Sequence, residues 1–519
     1  MSKMLKASGG IGAATLTSRV LGLVREQVYA AFMGTGGVAD AFFYAFMAPN
    51  LFRRLLGEGA LTAAFIPIFK AKEKKDGEAA MWRAANAVLS ALVAAAGLVA
   101  IMAMIVITAA LAFHVWNPDT RLMLQLMRLM FPYMVLACLA AVLIGICNAR
   151  GHFFIPALGS ALLNVVMIAS VLLLAPRMGT TLRTQIFALA IGVIVAGIAQ
   201  ALFQAPTLAR EGYRYEWISP WRDPVVREVM ARMIPSSIGV AAFQINVLLT
   251  QSLAFGEHRQ IVSTFNYAVR LMELPQGVVG ISLATFLLPT LSGLAVEKNF
   301  GQFRATLRQG VSYLVYVNLL ASVLLLTMAE PIIRLLFERR RFVPADTVNV
   351  SFALVCLTPG LLSFSLVNIL ARAFYALEDI RTPALISVFC LALNLALTAT
   401  LLFGLHLGAG ALGLANSLSS FCNLYLLIFA LRKKLRKLEM EDCVGQFPAL
   451  FAAAAAAGLL AWTLRMAWQN NLGHATLALK LGEVFVPMTA AGILYFGLTL
   501  WLKAPSAREV LDLVKSKFQ

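Results

Sequence analysis

Apolar runs of about 20 residues recur along almost the whole of this chain, separated by short polar stretches. A helix needs about 20 apolar residues to cross the hydrocarbon core of a bilayer. The runs therefore predict an all-α integral membrane protein with about 14 transmembrane helices. The first, second and eighth runs are the most polar. The predicted segments are 10–33, 38–69, 79–114, 122–149, 154–175, 184–208, 228–254, 261–295, 305–330, 347–377, 382–404, 408–432, 446–468 and 478–502.

Composition favours a membrane protein over a soluble one. Only 13% of the 519 residues are charged and 60% are hydrophobic, whereas soluble domains carry about 25% charged residues. The net charge of +18 would also suit a nucleic-acid-binding protein. Much of that charge lies in short loops between apolar runs, as in membrane proteins that follow the positive-inside rule. We therefore expect no nucleic-acid partner.

The basic residues also predict which side of the membrane each loop faces. If the N-terminus is cytoplasmic, the loops after even-numbered segments are cytoplasmic too, and they hold basic clusters at 70–75 and 432–437. The opposite loops at 34–39 and 403–410 carry no charge when His406 is neutral. Both termini are thus predicted to be cytoplasmic. The cluster Arg339–Arg341 is an exception on the predicted outer side, and it fits either a lipid-headgroup contact or an interfacial turn without a special function.

Two stretches of the chain resemble each other and predict an internal repeat. Tyr44 and Pro67 are 23 residues apart in the first copy, and Tyr267 and Pro289 are 22 apart in the second. An even number of segments separates the copies, so they run parallel and imply two lobes with a substrate between them. The alternative is chance similarity between apolar sequences. The predicted division is two pseudo-symmetric six-helix lobes at 1–222 and 223–440, followed by two C-terminal helices and a tail at 441–519.

Several arginines interrupt the polar segments, where a lipid environment disfavours them. A charged side chain at the bilayer centre costs about 2.5–3.5 kcal/mol on insertion scales, so such residues usually face a bundle interior or an aqueous cavity. Guanidinium groups suit the binding of phosphate and carboxylate. We therefore predict a cationic cavity that binds an anion. The alternative is that each arginine pairs with a nearby acid or extends to a headgroup.

Helical spacing groups polar residues around these arginines. Asn50 and Arg53 are neighbours at i, i+3, as are Arg270 and Glu273. Ser18 shares a helix face with Arg25, while Arg19 and Arg25 are about 120° apart and need a bend near Gly22 to face one cavity. The predicted substrate-binding residues are Ser18, Arg19, Arg25, Asp40, Asn50, Arg53, Arg54, Arg270 and Glu273.

The chain shows no sequence motif of an enzyme. The patterns GxxxxGK[ST], HExxH and GxSxG are absent, so neither an enzymatic activity nor a nucleotide cofactor is expected. Five of the six cysteines lie in apolar segments and none forms a CxxC pair, so no metal site is expected. Transport energy would then come from an ion gradient, the membrane potential or the gradient of the substrate.

Seven short segments of the chain resemble those of a known family. The segments SRVLGLVR (18–25), ADAFFY (39–44), PNLFRR (49–54), EGAL (58–61), AFIP (64–67), RLMELPQGVVG (270–280) and LLPTLS (287–292) resemble the MurJ (MviN) family of lipid II flippases. The similarity covers essentially the whole chain. It implies the multidrug/oligosaccharidyl-lipid/polysaccharide exporter fold, with two six-helix lobes and two further helices.

The resemblance also implies a function. The substrate would be undecaprenyl-pyrophosphoryl disaccharide-pentapeptide, moved by alternating access across the bacterial inner membrane for peptidoglycan biosynthesis and cell shape. The family's cavity arginines match Arg19, Arg25, Arg53 and Arg270, and its cavity acids match Asp40 and Glu273. Segments 446–468 and 478–502 would line a groove for the lipid tail. Membrane lipids and other proteins of cell-wall synthesis are the further expected partners.

This sequence differs from some members of the family at positions that bear on the driving force for transport. Some relatives hold sodium with acids on the seventh and eleventh helices, but here 237–254 and 382–404 contain no Asp or Glu. The membrane potential is then the favoured driving force, since one charge moving through 100 mV yields about 2.3 kcal/mol. The alternatives are an exporter of another polyprenyl-linked glycan, a cation-coupled drug antiporter of the same fold and a non-transporting scaffold for cell-wall synthesis.

Overall fold

The structure, a computed structural model, describes residues 2–56, 60–257, 260–277, 281–438 and 441–508. Within those ranges the chain is helical and has no β-strand, which confirms the all-α prediction. Glu58 of the EGAL motif, residues 278–280 and the tail 509–519 lie outside the described residues.

The helices form two compact units, Met1–Val262 and Ser263–Gln519. The helices of the first unit are α1 (Ser2–Met33), α2 (Gly37–Leu56), α3 (Ala60–Phe113), α4 (Pro118–Met130), α5 (Tyr133–Ala149), α6 (Phe154–Ala169), α7 (Leu182–Gln185), α8 (Phe187–Arg210) and α9 (Pro224–Glu257). The boundary falls in the first turn of α10 (Ile261–Pro275). The other helices of the second unit are α11 (Ile281–Val296), α12 (Phe300–Phe337), α13 (Pro344–Leu357), α14 (Gly360–Ala376), α15 (Arg381–Ala399), α16 (Ala409–Leu435), α17 (Glu441–Asn471) and α18 (Leu477–Trp501).

Helix α9 belongs to the first compact unit because it packs against α2 and α3. The division predicted from the sequence, 1–222, 223–440 and 441–519, is based on the internal repeat, whereas the two compact units are defined by packing. The predicted division therefore stays a prediction.

The described parts of the fourteen predicted segments are helical apart from short turns, as at 131–132 and 358–359. Among the described residues, eight helices are long and apolar enough to cross a membrane, or up to ten if two bent pairs each count as one span. The first, second, seventh and eighth predicted segments are not in that set. Hydropathy alone therefore undercounts the segments that contain the arginines.

Breaks in the helices fall at glycine and proline. Gly77 has φ 84° and ψ 177°, outside the helical region, so α3 is two helices joined at this residue. Helices α4 and α5 meet at Pro132 with a bend of 41°, and α13 and α14 meet at Pro359 with a bend of 45°. Proline has no N–H to continue the helical hydrogen bonding.

Each unit has its own apolar core. Phe42 of α2, Phe65 of α3 and Tyr133 of α5 are at most 1% exposed in the first unit. Phe303 of α12 and Tyr495 of α18 are as deeply buried in the second. Aromatic side chains of this size contribute much of the buried apolar area, so these cores hold the helices that present the polar side chains.

A hub of ion pairs closes the polar turn between α5 and α6. The guanidinium of Arg150 donates to Glu73 at 2.5 Å, to Glu78 at 2.8 Å and to Glu211 at 2.8 Å. Hydrogen bonds from the His152 imidazole and the Arg150 guanidinium lower the pKa of the Glu211 carboxyl. The turn is thereby tied to α3 on both sides of Gly77 and to the end of α8.

The turn between α14 and α15 is tied down in the same way with the charges reversed. Lys434, near the end of α16, donates to Asp379 at 2.7 Å. Asp379 also accepts from the backbone N–H of Thr382 at 3.0 Å, which caps the start of α15. The hydrogen bond from Lys434, followed by those from Thr382, lowers the pKa of Asp379 to about 2.

We predict that Asp379→Asn lowers the thermal unfolding midpoint in detergent by a small amount, equivalent to about 0.2–1 kcal/mol. Asparagine keeps the helix cap but loses the ion pair. Because the folded pKa lies below the unfolded value of about 3.9, the difference from wild type should be full above pH 4 and should disappear as the pH falls toward 2. Unfolding curves at several pH values check this. A difference that grows on acidification would contradict it.

A second set of ion pairs, with Arg334 and Glu483 buried at its centre, lies where α12, α17 and α18 meet, and we call it the ion network. Its members are Glu330, Arg334, Glu338, Arg465, Lys480 and Glu483. Arg334 donates to Glu483 at 2.9 Å, and the two side chains are 8% and 1% exposed. Arg465 pairs with Glu330, and Lys480 lies 3.5 Å from Glu338. The network ties α17 and α18 to α12 with three positive and three negative side chains.

The cluster Arg339–Arg341 begins just after α12. The guanidinium of Arg339 donates to the backbone carbonyl of Leu335 at 3.0 Å, which satisfies an acceptor at the helix C-terminus. Arg340 has φ 53° in the turn that leads to buried Phe342. For Arg339 the structure therefore favours the interfacial turn.

Candidate functional site

Helix α1 places two of the predicted arginines on different faces. The Arg25 guanidinium donates to Asn164 of α6 at 3.0 Å, and the Asn164 amide donates to the backbone carbonyl of Ser18 at 3.1 Å. A Cβ on Gly22 would lie 3.7 Å from the Asn164 amide nitrogen. Ser18, Gly22 and Arg25 thus form one face against α6, which confirms the predicted pairing of Ser18 with Arg25 on one face.

Arg25 is further held by its own helix. It forms an ion pair with Glu26, which is 5% exposed, and its guanidinium carbon lies 5.5 Å from the centre of the Tyr29 ring. Glu26 is adjacent to Arg25 in the sequence, and the long Arg25 side chain reaches it. The alternative reading, an arginine paired with a nearby acid, fits Arg25.

Arg19 lies on the other side of α1. Its side chain is exposed, and it forms no hydrogen bond or ion pair with any residue that the structure describes. Helix α1 runs unbroken through Gly22. Gly22 therefore allows α1 to pack closely against Asn164 and introduces no bend. The two arginines stay on separate faces of the helix.

Asp40 lies in the first turn of α2 and fixes a neighbouring turn. It is 2% exposed and accepts a hydrogen bond from the backbone N–H of Gln260 at 2.6 Å. Gln260 has φ 84°, a conformation that non-glycine residues rarely adopt without support. A carboxylate in the first turn of a helix is also favoured by the helix dipole. Asp40 thus stabilises the turn that leads into α10.

The far end of α2 carries the other basic residues. Arg53 donates to Asn50 at 2.8 Å, which confirms the predicted i, i+3 pair. Arg53 and Arg54 are half-buried in the last turn, where the helix dipole favours cations. Tyr44, in the middle of the helix, hydrogen-bonds Ser252 of α9, and its ring lies 5.3 Å from that of Phe255.

In the second unit, α10 presents Arg270 and Glu273. Arg270 donates to Glu273 at 2.8 Å, and the side chains are 43% and 46% exposed, so this predicted pair is confirmed. Tyr267, fully buried, packs its ring 5.3 Å from Phe337 and 5.6 Å from Phe342. That contact holds α10 with Arg270 on its exposed side.

The predicted site residues differ in the exposure of their charged groups. Arg25 and Asp40 are committed to buried contacts, whereas Arg19 and Arg270 present exposed guanidinium groups. Exposed guanidinium groups can bind phosphate or carboxylate through two parallel hydrogen bonds. No group of three His, Cys, Asp or Glu side chains that could hold a metal ion occurs among the described residues.

Sequence reasoning missed the residues that position the site from other helices. Asn164 lies alone among apolar residues of α6, and such an isolated buried amide is the one signal that could have indicated it. Gln260 acts through its backbone N–H, and Ser252 through one hydroxyl, so neither has a sequence signature.

We predict that Asn164→Leu lowers the free energy of unfolding by about 1–3 kcal/mol, because it removes the acceptor of the Arg25 Nη1 hydrogen bond and leaves Glu26 to pair with the buried guanidinium. Asn164→Asp keeps that acceptor and should recover part of the loss. The thermal unfolding midpoint in detergent is the measurement, with exposed Asn368→Leu as the matched control. Equal midpoints for Asn164→Leu and Asn368→Leu would contradict the assigned role.

Comparison with known proteins identifies the family. The model of the family described as "Lipid II flippase MurJ" matches residues 29–482. A protein of Vibrio cholerae serotype O1 named "Probable lipid II flippase MurJ" is 34% identical over 439 residues, which are 82% of each chain.

Solved structures agree in fold. A lipid II flippase MurJ in an inward closed conformation matches 95% of this chain and 99% of its own, with a TM-score of 0.73 and 20% identity. An inward-facing multidrug resistance MATE family transporter of the MOP superfamily matches 81% of this chain and 95% of its own, with a TM-score of 0.65 and 14% identity. The predicted exporter fold is thereby confirmed. From the family model and the Vibrio relative together, this chain belongs to the MurJ family of lipid II flippases.

Proposed function

We propose that this chain is a lipid II flippase. It moves undecaprenyl-pyrophosphoryl disaccharide-pentapeptide from the cytoplasmic to the outer leaflet of the bacterial inner membrane by alternating access, and so supplies peptidoglycan synthesis. The family membership of residues 29–482 is the observation that carries the proposal. The arginines of α1, α2 and α10 support it.

Charge provides the physical reason. Lipid II carries a pyrophosphate and peptide carboxylates, and arginine keeps its charge and offers a planar fork of donors to such groups. We propose that Arg19 and Arg270, with the most exposed guanidinium groups, contact the headgroup directly. Arg53 and Arg54 at the end of α2, with Asn50, provide further donors.

The remaining site residues have a positioning role in the proposal. Arg25 is held by Asn164 and Glu26, which orients α1 against α6 and adds positive charge. Asp40 holds the turn at Gln260, and Ser18 accepts from Asn164 through its backbone. Glu273 pairs with Arg270 until an anionic substrate replaces it.

We further propose that transport involves no chemical catalysis and draws on the membrane potential. Lipid II is anionic, so an inside-negative potential favours its outward movement by about 2.3 kcal/mol per charge at 100 mV. Both termini would be cytoplasmic, as the basic loops predict. Helices α17 and α18 would face the lipid tail, and other proteins of cell-wall synthesis are proposed partners.

Growth of bacteria depleted of their own flippase tests the proposal. Expression of this chain should restore growth, and an empty vector should not. If the full chain reaches the membrane at the level of the host flippase but growth stays arrested, the proposal is contradicted.

A further inference from the structure

The loop between α8 and α9 lies along α3 and is fixed there by specific contacts. The Tyr213 and Trp82 ring centres are 5.2 Å apart, and the Asn86 amide donates to the backbone carbonyl of Arg214 at 3.0 Å. Ser90 accepts from the backbone N–H of Ile218 at 3.2 Å. Residues 82, 86 and 90 share one helix face, so the loop follows that face for two turns.

A cavity of about 890 Å³ lies between this loop and α3. Its lining includes Arg83, Asn86, Arg214, Glu216, Trp217 and Asp223. A volume of this size suits a small molecule or a headgroup.

The lining combines charges of both signs that are not used within the protein. Arg83, Arg214 and Glu216 form no ion pair with any residue in the described part of the chain. Asp223 uses one carboxylate oxygen to cap α9, through the N–H groups of Val225 and Val226. Asn86 is 4% exposed, and its carbonyl oxygen accepts no hydrogen bond within the described residues. The cavity therefore offers two guanidinium donors for an anion together with the Glu216 carboxylate for a cation.

The position of the cavity indicates a ligand with a membrane tail. It lies at one end of the apolar run of α3. Trp217 and Trp221 of the loop are 60% and 80% exposed. Exposed tryptophans beside an apolar span mark the level of the lipid headgroups, so a ligand here has its polar part at the interface.

We propose that this cavity binds the headgroup of a zwitterionic aminophospholipid, with its phosphate on Arg83 and Arg214 and its ammonium on Glu216. A purely anionic headgroup fits less well, because Glu216 and Asp223 repel it. Such a lipid would hold the α8–α9 loop against α3 from the bilayer side.

Native mass spectrometry of the purified full chain tests this, with dioleoyl phosphatidylethanolamine and dioleoyl phosphatidylglycerol as probes. We expect the ethanolamine lipid to bind about fivefold more tightly. Glu216→Gln should abolish this preference and leave glycerol-lipid binding at least as strong. Arg83→Gln should weaken both, and Arg227→Gln, exposed on the adjacent helix outside the cavity, should change neither.

Two results would overturn the proposal. One is equal binding of the two lipids by wild type, with Arg83→Gln and Glu216→Gln unchanged. The other is binding of glycerophosphoethanolamine, which has the headgroup without acyl chains, as tight as that of the lipid, since the ligand would then be a soluble phosphodiester.

Discussion

Arg270→Ala is expected to weaken lipid II binding by the purified protein by about 10- to 100-fold, and to abolish rescue of flippase-depleted cells. The change removes an exposed guanidinium that forms an ion pair with Glu273 at 2.8 Å. Hydrogen bonds to charged groups contribute about 1.5–3 kcal/mol, and 1.4 kcal/mol is tenfold in affinity. It also leaves the Glu273 carboxylate uncompensated beside an anionic substrate.

Two controls separate the guanidinium from a general effect of charge. Arg270→Lys keeps the charge but loses bidentate geometry, so its affinity should fall between those of wild type and alanine. Arg381→Ala removes an exposed arginine from the start of α15 and should leave binding unchanged. Wild-type affinity and full growth in Arg270→Ala would contradict the role given to α10.

Glu483→Ala is expected to lower the free energy of unfolding by about 3–5 kcal/mol, the largest stability effect predicted for this chain. Glu483 is 1% exposed and accepts from Arg334 at 2.9 Å and from Gln469 at 2.7 Å. Its removal leaves the buried Arg334 charge with less compensation at the junction of α12, α17 and α18. Thermal unfolding in detergent measures the loss.

The double variant Arg334→Met with Glu483→Leu is the sharper test. It removes one charge of each sign and leaves the pairs Arg465–Glu330 and Lys480–Glu338 intact. Replacing both partners of a buried ion pair by apolar residues is often neutral or stabilising. The double variant should therefore unfold at a higher temperature than Glu483→Ala. Additive losses, with the double variant the least stable, would contradict a coupled network.

Local spacing predicted the contacts that depend on helix geometry alone. The i, i+3 pairs Asn50–Arg53 and Arg270–Glu273 follow from 3.6 residues per turn, and both are present. The pairing of Arg25 with Glu26 was not predicted, because adjacent residues point to different sides of a helix and the length of the arginine side chain overcomes this.

Contacts between residues far apart in the sequence could not be predicted from the sequence pattern. Asn164 reaches Arg25 across 139 positions and Gln260 reaches Asp40 across 220, so no local rule connects them. The turns at 150–156 and 377–383 are anchored by reversed charges, Arg150 to Glu211 and Asp379 to Lys434, and no local spacing in the sequence shows these contacts.

We propose that the exposed arginines of this chain bind and carry lipid II, and one measurement tests this most directly. It is the amount of lipid II accessible from outside in cells where this chain is the only flippase, compared for wild type and Arg19→Ala at matched membrane levels. Arg19 is suited to this test because no described residue pairs with it. We predict externally accessible lipid II with wild type and a loss of about tenfold or more in the variant. Equal exposure in the two strains would contradict the claim.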